Sequence, residues 1–311
     1  MIINSGQRTD IPAFYSEWFM NRIREGFVMV RNPYYAEQVT RYRLDPDVVD
    51  VLVFGTKNPK PLLAHIPELK KFRQLWHVTI TPYGKDIEPG VPDKHDVIAS
   101  FRSLAELLGP EVMFWRYDPV FLTAKYTAEY HIHAFETMCR LLSGATHHVI
   151  ISYLDLYEKT KRNFPEGREV SPADQLTLGR AFAKIAAAYG MSVHACCESA
   201  ALQSVGIDTD GCMTAELVSS ALDLPLNVPP HTPARPACRC LLNNDIGAYN
   251  TCRHFCRYCY ANFDKATVLR NAADHDPLSP FLIGHEKPGD IVREATQVSW
   301  LRQSEQLTLE I

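Results

Sequence analysis

A short stretch near the C-terminus carries the side chains best suited to chemistry. Cys252, Cys256 and Cys259 follow the spacing C-x-x-x-C-x-x-C. A loop this short can direct three thiolates at one small object, and three soft sulfur ligands suit a metal or an iron–sulfur cluster better than a disulfide, which needs pairs. A closed four-sulfur site would need a distant fourth ligand, whereas an open site needs none. A structural zinc knuckle and free thiols in a loop are the alternatives.

The pattern C-x-x-x-C-x-aromatic-C resembles the cluster loop of radical S-adenosylmethionine (SAM) enzymes. Its version here, Cys-Arg-His-Phe-Cys-Arg-Tyr-Cys-Tyr-Ala, is similar to the branch that contains spore photoproduct lyase. The whole chain also resembles domain-of-unknown-function family 1848. The resemblance implies that Cys252, Cys256 and Cys259 bind three irons of a [4Fe–4S] cluster, whose fourth iron binds SAM. It further implies that Tyr258 lies against the adenine, and Asn250 is a second cofactor-binding candidate.

That resemblance also implies a reaction. A reduced cluster passes one electron to SAM, and the resulting 5′-deoxyadenosyl radical abstracts a hydrogen from an unknown small-molecule or macromolecular substrate. An electron donor such as flavodoxin or ferredoxin would be the partner. Two other functions stay open: an iron–sulfur electron-transfer or redox-sensing protein without SAM chemistry, and a nucleic-acid repair or zinc-stabilised nucleic-acid-binding protein.

The remaining cysteines predict a second centre. Cys139 falls on the apolar stripe of a predicted helix and is most simply a core residue. Cys196 and Cys197 are neighbours at a strand end, so their side chains diverge and only one can join a site. Cys196 is preferred because Glu198, a cofactor-binding candidate, then faces the same side. Four thiolates fit a second [4Fe–4S] cluster or an all-cysteine zinc site, with scattered structural cysteines as the alternative. These four are Cys196, Cys212, Cys238 and Cys240.

Composition narrows the class of protein. The chain has 311 residues and a net charge of −4, so it can bury a sizeable core and has no global attraction to nucleic acid or anionic membrane. Its first fifteen residues lack the apolar core of a signal peptide, and no apolar run is long enough to span a bilayer. The nine clustered cysteines are typical of a reduced, cytoplasmic, metal-directed protein rather than a disulfide scaffold.

Apolar strands alternate with helical segments over residues 1–222. Such alternation predicts an α/β fold with a parallel sheet, and six or seven units favour a TIM-like (β/α) barrel, complete or incomplete. A Pro-rich linker at 223–236 and a cysteine-rich, cluster-binding extension make up residues 223–311, of which those after 285 are helical at best. The predicted strands are 1–4, 27–30, 49–54, 75–81, 112–117, 148–153 and 191–196. The predicted helices are 13–25, 60–72, 95–108, 127–142 and one beginning after Ser171.

In a barrel, active residues follow the C-terminal ends of the strands. Asp10, Lys57, Arg116 and Asp118 occupy such positions and are the catalytic candidates. Arg116 lies inside an apolar strand, where a charge is costly unless it is paired or lines a polar barrel mouth. An internal brace to Asp118 and substrate binding are equally compatible with this pattern.

Basic residues surround the cysteine stretch. They would neutralise an anionic cluster, grip the SAM carboxylate or attract a phosphate-bearing substrate. Aromatic residues interleave with them, as in proteins that bind single-stranded nucleic acid, but the acidic overall balance disfavours that partner. His254 would donate a hydrogen bond near the sulfurs or, more simply, be a solvated loop residue. The basic residues are Arg235, Arg239, Arg253, Arg257, Lys265 and Arg270.

Overall fold

A computed structural model describes residues 1–230 and 238–301 and shows two β-sheets with helices packed around the larger one. Residues 231–237, which include Arg235 and part of the predicted Pro-rich linker, lie outside the described residues. The strands are β1 (Ile2–Asn4), β2 (Phe27–Arg31), β3 (Gln38–Arg43), β4 (Val51–Thr56), β5 (Gln74–Thr79), β6 (Met113–Val120), β7 (His148–Tyr153), β8 (Ser192–Ala195) and β9 (Ile291–Glu294).

The larger sheet has six strands in the order β1-β4-β5-β6-β7-β8, and every neighbouring pair is parallel. Parallel neighbours need a crossover connection, and helices provide most of these crossovers here. The predicted α/β fold with a parallel sheet is therefore confirmed. Because all six strands run the same way, their C-terminal ends meet along one edge, which is where the predicted site residues belong.

The longer helices begin where the sequence offers a capping side chain. Asp93, Thr127 and Ser171 each accept a hydrogen bond from an amide in the first turn of the helix that follows. The helix predicted at 60–72 is instead two short helices, because Pro67 cannot donate the amide that a continuous helix requires. The helices are α1 (Ile11–Phe14), α2 (Ser16–Glu25), α3 (Lys60–Leu63), α4 (Ile66–Leu69), α5 (Lys94–Leu108), α6 (Ala128–Leu142), α7 (Glu158–Asn163), α8 (Pro172–Ala188), α9 (Ala215–Leu222) and α10 (Lys265–Ala273).

The two faces of the six-strand sheet bury different partners. One face, with Phe54, Trp76 and Trp115, belongs to the main apolar core together with buried residues of α2, α5, α6 and α8. Side chains alternate along a strand, so the next residues point to the other face. There Leu75 and Phe114 pack in a second apolar cluster that also contains four buried cysteines. These cysteines are Cys196, Cys212, Cys238 and Cys240.

Irregular segments extend both edges of this sheet. At the β8 edge, His194 forms a parallel bridge with Asp208, and at the β1 edge Asn4 forms one with Asp245. Between these two segments the Leu241 amide donates to the Met213 carbonyl at 2.9 Å. The chain regions near 208–213 and 241–245 are thus hydrogen-bonded both to the sheet edges and to each other.

The smaller sheet corrects two expectations. It has the order β2-β3-β9, with β2 and β3 antiparallel and β3 and β9 parallel. The predicted strand at 27–30 therefore lies outside the parallel sheet. The expectation that residues after 285 are helical at best was wrong, because β9 is a strand. All four residues of β9 are exposed, so no apolar pattern marks it, and its pairing with β3 orders it.

The C-terminal part of the chain contacts the first elements directly. The amino group of Met1 donates to the Val298 carbonyl at 2.9 Å, and the Trp18 indole donates to the Ser279 carbonyl at 2.9 Å. The division at 222/223 stays a prediction. Across the described ranges, the helices are too short or too polar to cross a lipid bilayer.

Candidate functional site

The cysteine loop, defined here as residues 249–262, packs backbone to backbone against the loop that follows β5. The Gly90 amide donates to the His254 carbonyl at 2.8 Å, and the Arg257 amide donates to the Ile87 carbonyl at 3.0 Å. A side chain at position 90 would place its Cβ 2.4 Å from the Arg253 carbonyl oxygen, so only glycine fits. This contact brings the cysteine loop to the C-terminal end of the parallel sheet.

The ends of the cysteine loop are closed by its own hydrogen bonds. The Asn250 amide donates to the Ala261 carbonyl at 3.0 Å, and the Asn250 side-chain oxygen accepts the Phe263 amide. Phe255 has φ +54° and Asn250 has φ +59°, backbone conformations that are rare for an aromatic residue and tolerated by asparagine. The side-chain oxygen of Asn250 thus fixes the loop here, and its cofactor-binding role stays a prediction.

The three loop thiols are half-buried and lie near charged groups from other parts of the chain. Burial raises the pKa of Cys252, and Asp10, Cys259 and Cys256 raise it further. Burial also raises the pKa of Cys256 and of Cys259, while the Lys57 ammonium acts in the opposite direction on both thiols. The predicted trio therefore shares one region with the strand-end residues Asp10 and Lys57.

Glu88 contacts more of the residues in this region than its neighbours do, and it was not among the residues predicted from the sequence. Its carboxylate lies 2.8 Å from the Lys57 ammonium and accepts the Thr81 hydroxyl at 2.8 Å. It also accepts the Tyr258 hydroxyl and pairs with Lys94. Burial alone would raise the pKa of Glu88, but the two lysines outweigh it and lower the value to about 2. The buried carboxylate is therefore ionised and holds Tyr258 on the side of the loop that faces the sheet.

Lys57 carries its charge for the same reason. Burial opposes the ammonium, but Glu88, Cys256 and Asp118 together raise the pKa of Lys57. Its nitrogen also lies 5.6 Å from the centre of the Tyr258 ring. A cation held beside two loop thiols suits an anionic thiolate-bound group.

Asp10 joins the loop to the strand ends through His254. The carboxylate of Asp10 accepts the Lys57 amide at 2.7 Å and contacts the His254 Nε2 atom at 2.8 Å, while His254 Nδ1 lies 3.2 Å from the Gly90 carbonyl oxygen. Both partners of the imidazole are hydrogen-bond acceptors. His254 is only 2% exposed. The interpretation of His254 as a solvated loop residue was therefore wrong, because the imidazole is a buried anchor.

A second group of cysteines is buried in the apolar cluster that contains Leu75 and Phe114 of the six-strand sheet. The sulfurs of Cys196, Cys212 and Cys240 all lie within 4.8 Å of one another, and those of Cys212 and Cys240 are 3.6 Å apart. Cys238 is buried in the same apolar cluster. Three of the four cysteines predicted to form a second centre thus converge closely enough to bind one metal ion.

Arg116 and Asp118 form an ion pair that interacts with charged groups near both sets of cysteines. The guanidinium contacts both carboxylate oxygens, with Nε to Oδ1 at 3.2 Å and Nη2 to Oδ2 at 2.5 Å. Burial opposes the charge of Arg116, but Asp118, Cys212 and Cys196 raise its pKa well above the ordinary value. The ion pair expected of an internal brace is present, and Asp118 also raises the pKa of Lys57.

Glu198 follows Cys196 and Cys197 in the chain, and its carboxylate accepts the Tyr153 amide at 2.7 Å. It thereby satisfies a backbone donor at the end of β7. The predicted role of Glu198 in cofactor binding stays a prediction.

Several of the predicted basic residues have partners within the chain. Arg257 pairs with Glu166, with Nη2 to Oε2 at 2.9 Å, and Arg239 pairs with Asp210 at 3.1 Å. The Arg253 guanidinium lies 4.8 Å from the centre of the Phe14 ring. These charges therefore brace the cysteine loop and the second cysteine group against neighbouring elements.

The chain matches one protein family and is distantly similar to two solved structures. The carboxyl transferase domain of Rhizobium etli pyruvate carboxylase, in a point-substituted form with pyruvate, is 13% identical, with a TM-score of 0.36, over 69% of this chain and 33% of that one. Another structure of that domain is 12% identical, with a TM-score of 0.29, over 70% of this chain and 40% of that one. The chain thus spans less than half the length of either structure.

No curated protein matches the chain. The family described as a domain of unknown function, DUF1848, matches residues 2–261, a range that holds the six parallel strands and both cysteine groups. Because this match covers well over half of the sequence, the chain belongs to the DUF1848 family.

Proposed function

We propose that the chain is a radical SAM enzyme that holds a [4Fe–4S] cluster through Cys252, Cys256 and Cys259. The observation that supports this most is the docking of a three-thiol loop onto the C-terminal ends of parallel strands, beside Asp10 and Lys57. Active sites of α/β proteins lie at these strand ends.

The three thiols of the cysteine loop are suitable ligands for such a cluster. Three cysteines in one loop leave a fourth iron without a protein ligand, and thiolates are the usual ligands of iron–sulfur centres.

When bound, a reduced cluster with SAM supplies one-electron cleavage of the sulfonium and a carbon-centred radical. The chain's own residues compensate charge, position the cofactor-facing side chains and exclude water. Lys57 compensates negative charge at Cys256 and Cys259, and Glu88 holds Tyr258 in place. An apolar group of Tyr83, Phe121 and Phe164 packs beside Tyr258 and excludes water on that side. Arg116 and Asp118 are the candidates for substrate positioning, and Glu198 and Asn250 for cofactor contacts.

The proposed architecture is a (β/α) barrel of six strands. In place of further strands, two irregular segments close the gap between β8 and β1. The bridges of His194 with Asp208 and of Asn4 with Asp245, joined by the Met213–Leu241 hydrogen bond, support closure between β8 and β1. The proposed partners are a low-potential electron donor such as flavodoxin or ferredoxin and a substrate that is either a small molecule or a macromolecule.

Anaerobic reconstitution with iron and sulfide tests the proposal. The reduced protein should give an electron paramagnetic resonance signal that changes when SAM is added, and should convert SAM to 5′-deoxyadenosine and methionine. Cys256→Ala should lose both properties, whereas Cys139→Ala, which alters a buried thiol on α6, should keep them.

Two results would replace the proposal with another function. A cluster signal that is indifferent to SAM, with no SAM cleavage, would indicate an electron-transfer or redox-sensing protein. Bound zinc without iron, together with salt-sensitive binding of nucleic acid, would indicate a nucleic-acid-binding protein.

A further inference from the structure

The second cysteine group has the geometry of a site for one ion. We infer that Cys196, Cys212 and Cys240 bind a single thiophilic divalent metal ion of the zinc class, which ties together the two edges of the six-strand sheet. This inference does not depend on the proposed radical SAM function.

The sulfur–sulfur distances carry the inference. Four thiolates at about 2.3 Å from a tetrahedral zinc ion lie about 3.8 Å from one another. The Cys212 and Cys240 sulfurs are 3.6 Å apart, and all three sulfurs lie within 4.8 Å. In a [4Fe–4S] cluster each thiolate binds a different iron, so its ligands are more widely spaced. A single ion therefore fits this group better than the second cluster that the cysteine count also allowed.

The backbone around the sulfurs is shaped to hold them. The Cys212 amide donates to the Cys240 sulfur at 3.3 Å, a contact that stabilises negative charge on a thiolate. Gly211 has φ +131°, and a Cβ at that position would lie 2.9 Å from the Cys240 sulfur. Glycine at position 211 thus leaves room for the sulfur and permits the turn that presents Cys212.

Cysteine binds a metal ion as a thiolate, so a divalent ion would displace the protons of Cys196, Cys212 and Cys240 as it binds.

Two more donors are buried on this side of the sheet. Cys238 lies two residues before Cys240 and is buried in the same apolar cluster. His77 on β5 is 5% exposed, and its ring centre lies 4.9 Å from that of Phe114 in this cluster. It has no hydrogen-bond partner for either ring nitrogen among residues 1–230 and 238–301. Unpaired buried nitrogens are uncommon, and a ligand in this interior would account for them.

The position of the three cysteines gives the ion its role. Cys196 directly follows β8 at one edge of the sheet, and Cys212 follows the Asp208 bridge to that edge. Cys240 precedes the segment that bridges β1 through Asp245. One ion bound to all three would cross-link the two edges.

Metal analysis of purified protein tests the inference. The key sample is the triple variant Cys252→Ala, Cys256→Ala, Cys259→Ala, which removes the proposed cluster ligands and leaves the second group intact. Wild type and the triple variant should both contain about one zinc ion per chain. Cys212→Ser in the triple background should lose that zinc, whereas Cys139→Ser should retain it.

Cobalt substitution tests the same site without the Cys212→Ser variant, which matters if that variant does not fold. Co²⁺ added to the zinc-depleted triple variant should give the thiolate charge-transfer and intense visible bands of a tetrahedral sulfur site, at one equivalent. Chelation should also lower its melting temperature. Iron and sulfide at the second group instead of zinc, or no saturable cobalt spectrum, would overturn the inference. Because the cluster ligands are absent from this sample, neither outcome depends on radical SAM chemistry.

Discussion

The Glu88 carboxylate lies 2.8 Å from the Lys57 ammonium, although these residues come from loops after different strands and only 1% of the Glu88 side chain is exposed. The same carboxylate accepts the hydroxyl of Tyr258 from the cysteine loop. A buried ion pair thus joins two strand ends to the proposed cluster site. This arrangement makes Glu88 the residue whose loss should disturb the site most without touching a cysteine.

Replacing Glu88 with glutamine removes the charge and keeps the shape. Lys57 and Lys94 would then lose the carboxylate that they share, and breaking a buried pair in this way costs about 3 kcal/mol. We therefore expect Glu88→Gln to lower the free energy of unfolding by that amount, measured by urea denaturation.

The matched control is Glu158→Gln, which breaks an ion pair with Lys161 in which Glu158 is 89% exposed. Surface pairs of this kind contribute little, so its effect should stay below about 1 kcal/mol. Equal effects of the two substitutions would show that the Glu88 network is not a buried brace.

Gly90 should control the loading of the cysteine loop with iron. Gly90→Ala would force a methyl group against the Arg253 carbonyl, 2.4 Å from the ideal Cβ position, and displace the loop. We expect reconstituted Gly90→Ala to bind much less iron while its far-ultraviolet circular dichroism stays close to wild type. Pro89→Ala, which changes the exposed neighbouring residue, should load normally. Full loading of Gly90→Ala would mean that this backbone contact does not position the thiols.

The elements that could be predicted are those with a local signal. Ser171 followed by Pro172 predicted the start of α8, and the apolar run at 148–153 predicted β7, because capping and burial are encoded in neighbouring residues. Strand β3 was missed because Val39 is its one buried residue, which leaves no alternating pattern. Strand β9 is exposed throughout and is held by pairing with a strand some 250 positions earlier.

The candidate site divides in the same way. The spacing of Cys252, Cys256 and Cys259 is local, so the sequence identified the loop. Glu88 is separated by 170 positions from Tyr258, and no sequence pattern near position 88 predicts that the two side chains are in contact. Counting cysteines suggested that a second centre exists, but only the fold shows that the thiols after β8 and before the β1 edge converge.

Stability should fall between pH 6.5 and pH 4 because of His131. Its Nδ1 lies 2.8 Å from the Tyr117 hydroxyl and its Nε2 lies 2.9 Å from the Phe121 carbonyl oxygen. Burial lowers the pKa of His131 from 6.5 to about 4. A pKa lowered in the folded state means that the unfolded chain binds the proton more tightly, so the contribution is present above pH 6.5 and is lost as the pH falls towards 4.

The size of that loss is about 3 kcal/mol for one histidine, and His148, whose pKa burial also lowers to about 4, acts in the same range. Urea denaturation across this range, with a chelator present throughout, should give a flatter pH profile for His131→Gln than for wild type. His95→Gln, at an imidazole whose side chain is 88% exposed, should leave the profile unchanged. An unaltered slope in His131→Gln would contradict the assignment.

A double-mutant cycle should separate the two roles considered for Arg116 and Asp118. If the pair is an internal brace, Arg116→Met and Asp118→Asn should each destabilise the fold, and the double variant should be more stable than additivity predicts by about 2 kcal/mol. Arg24 and Glu68 make a bidentate pair of similar shape at the surface, with both contacts at 2.8 Å, and their coupling should stay below about 1 kcal/mol. Additive effects at Arg116 and Asp118 would show that the contact contributes little to folding, and would leave substrate positioning as the reason for placing an arginine inside an apolar strand.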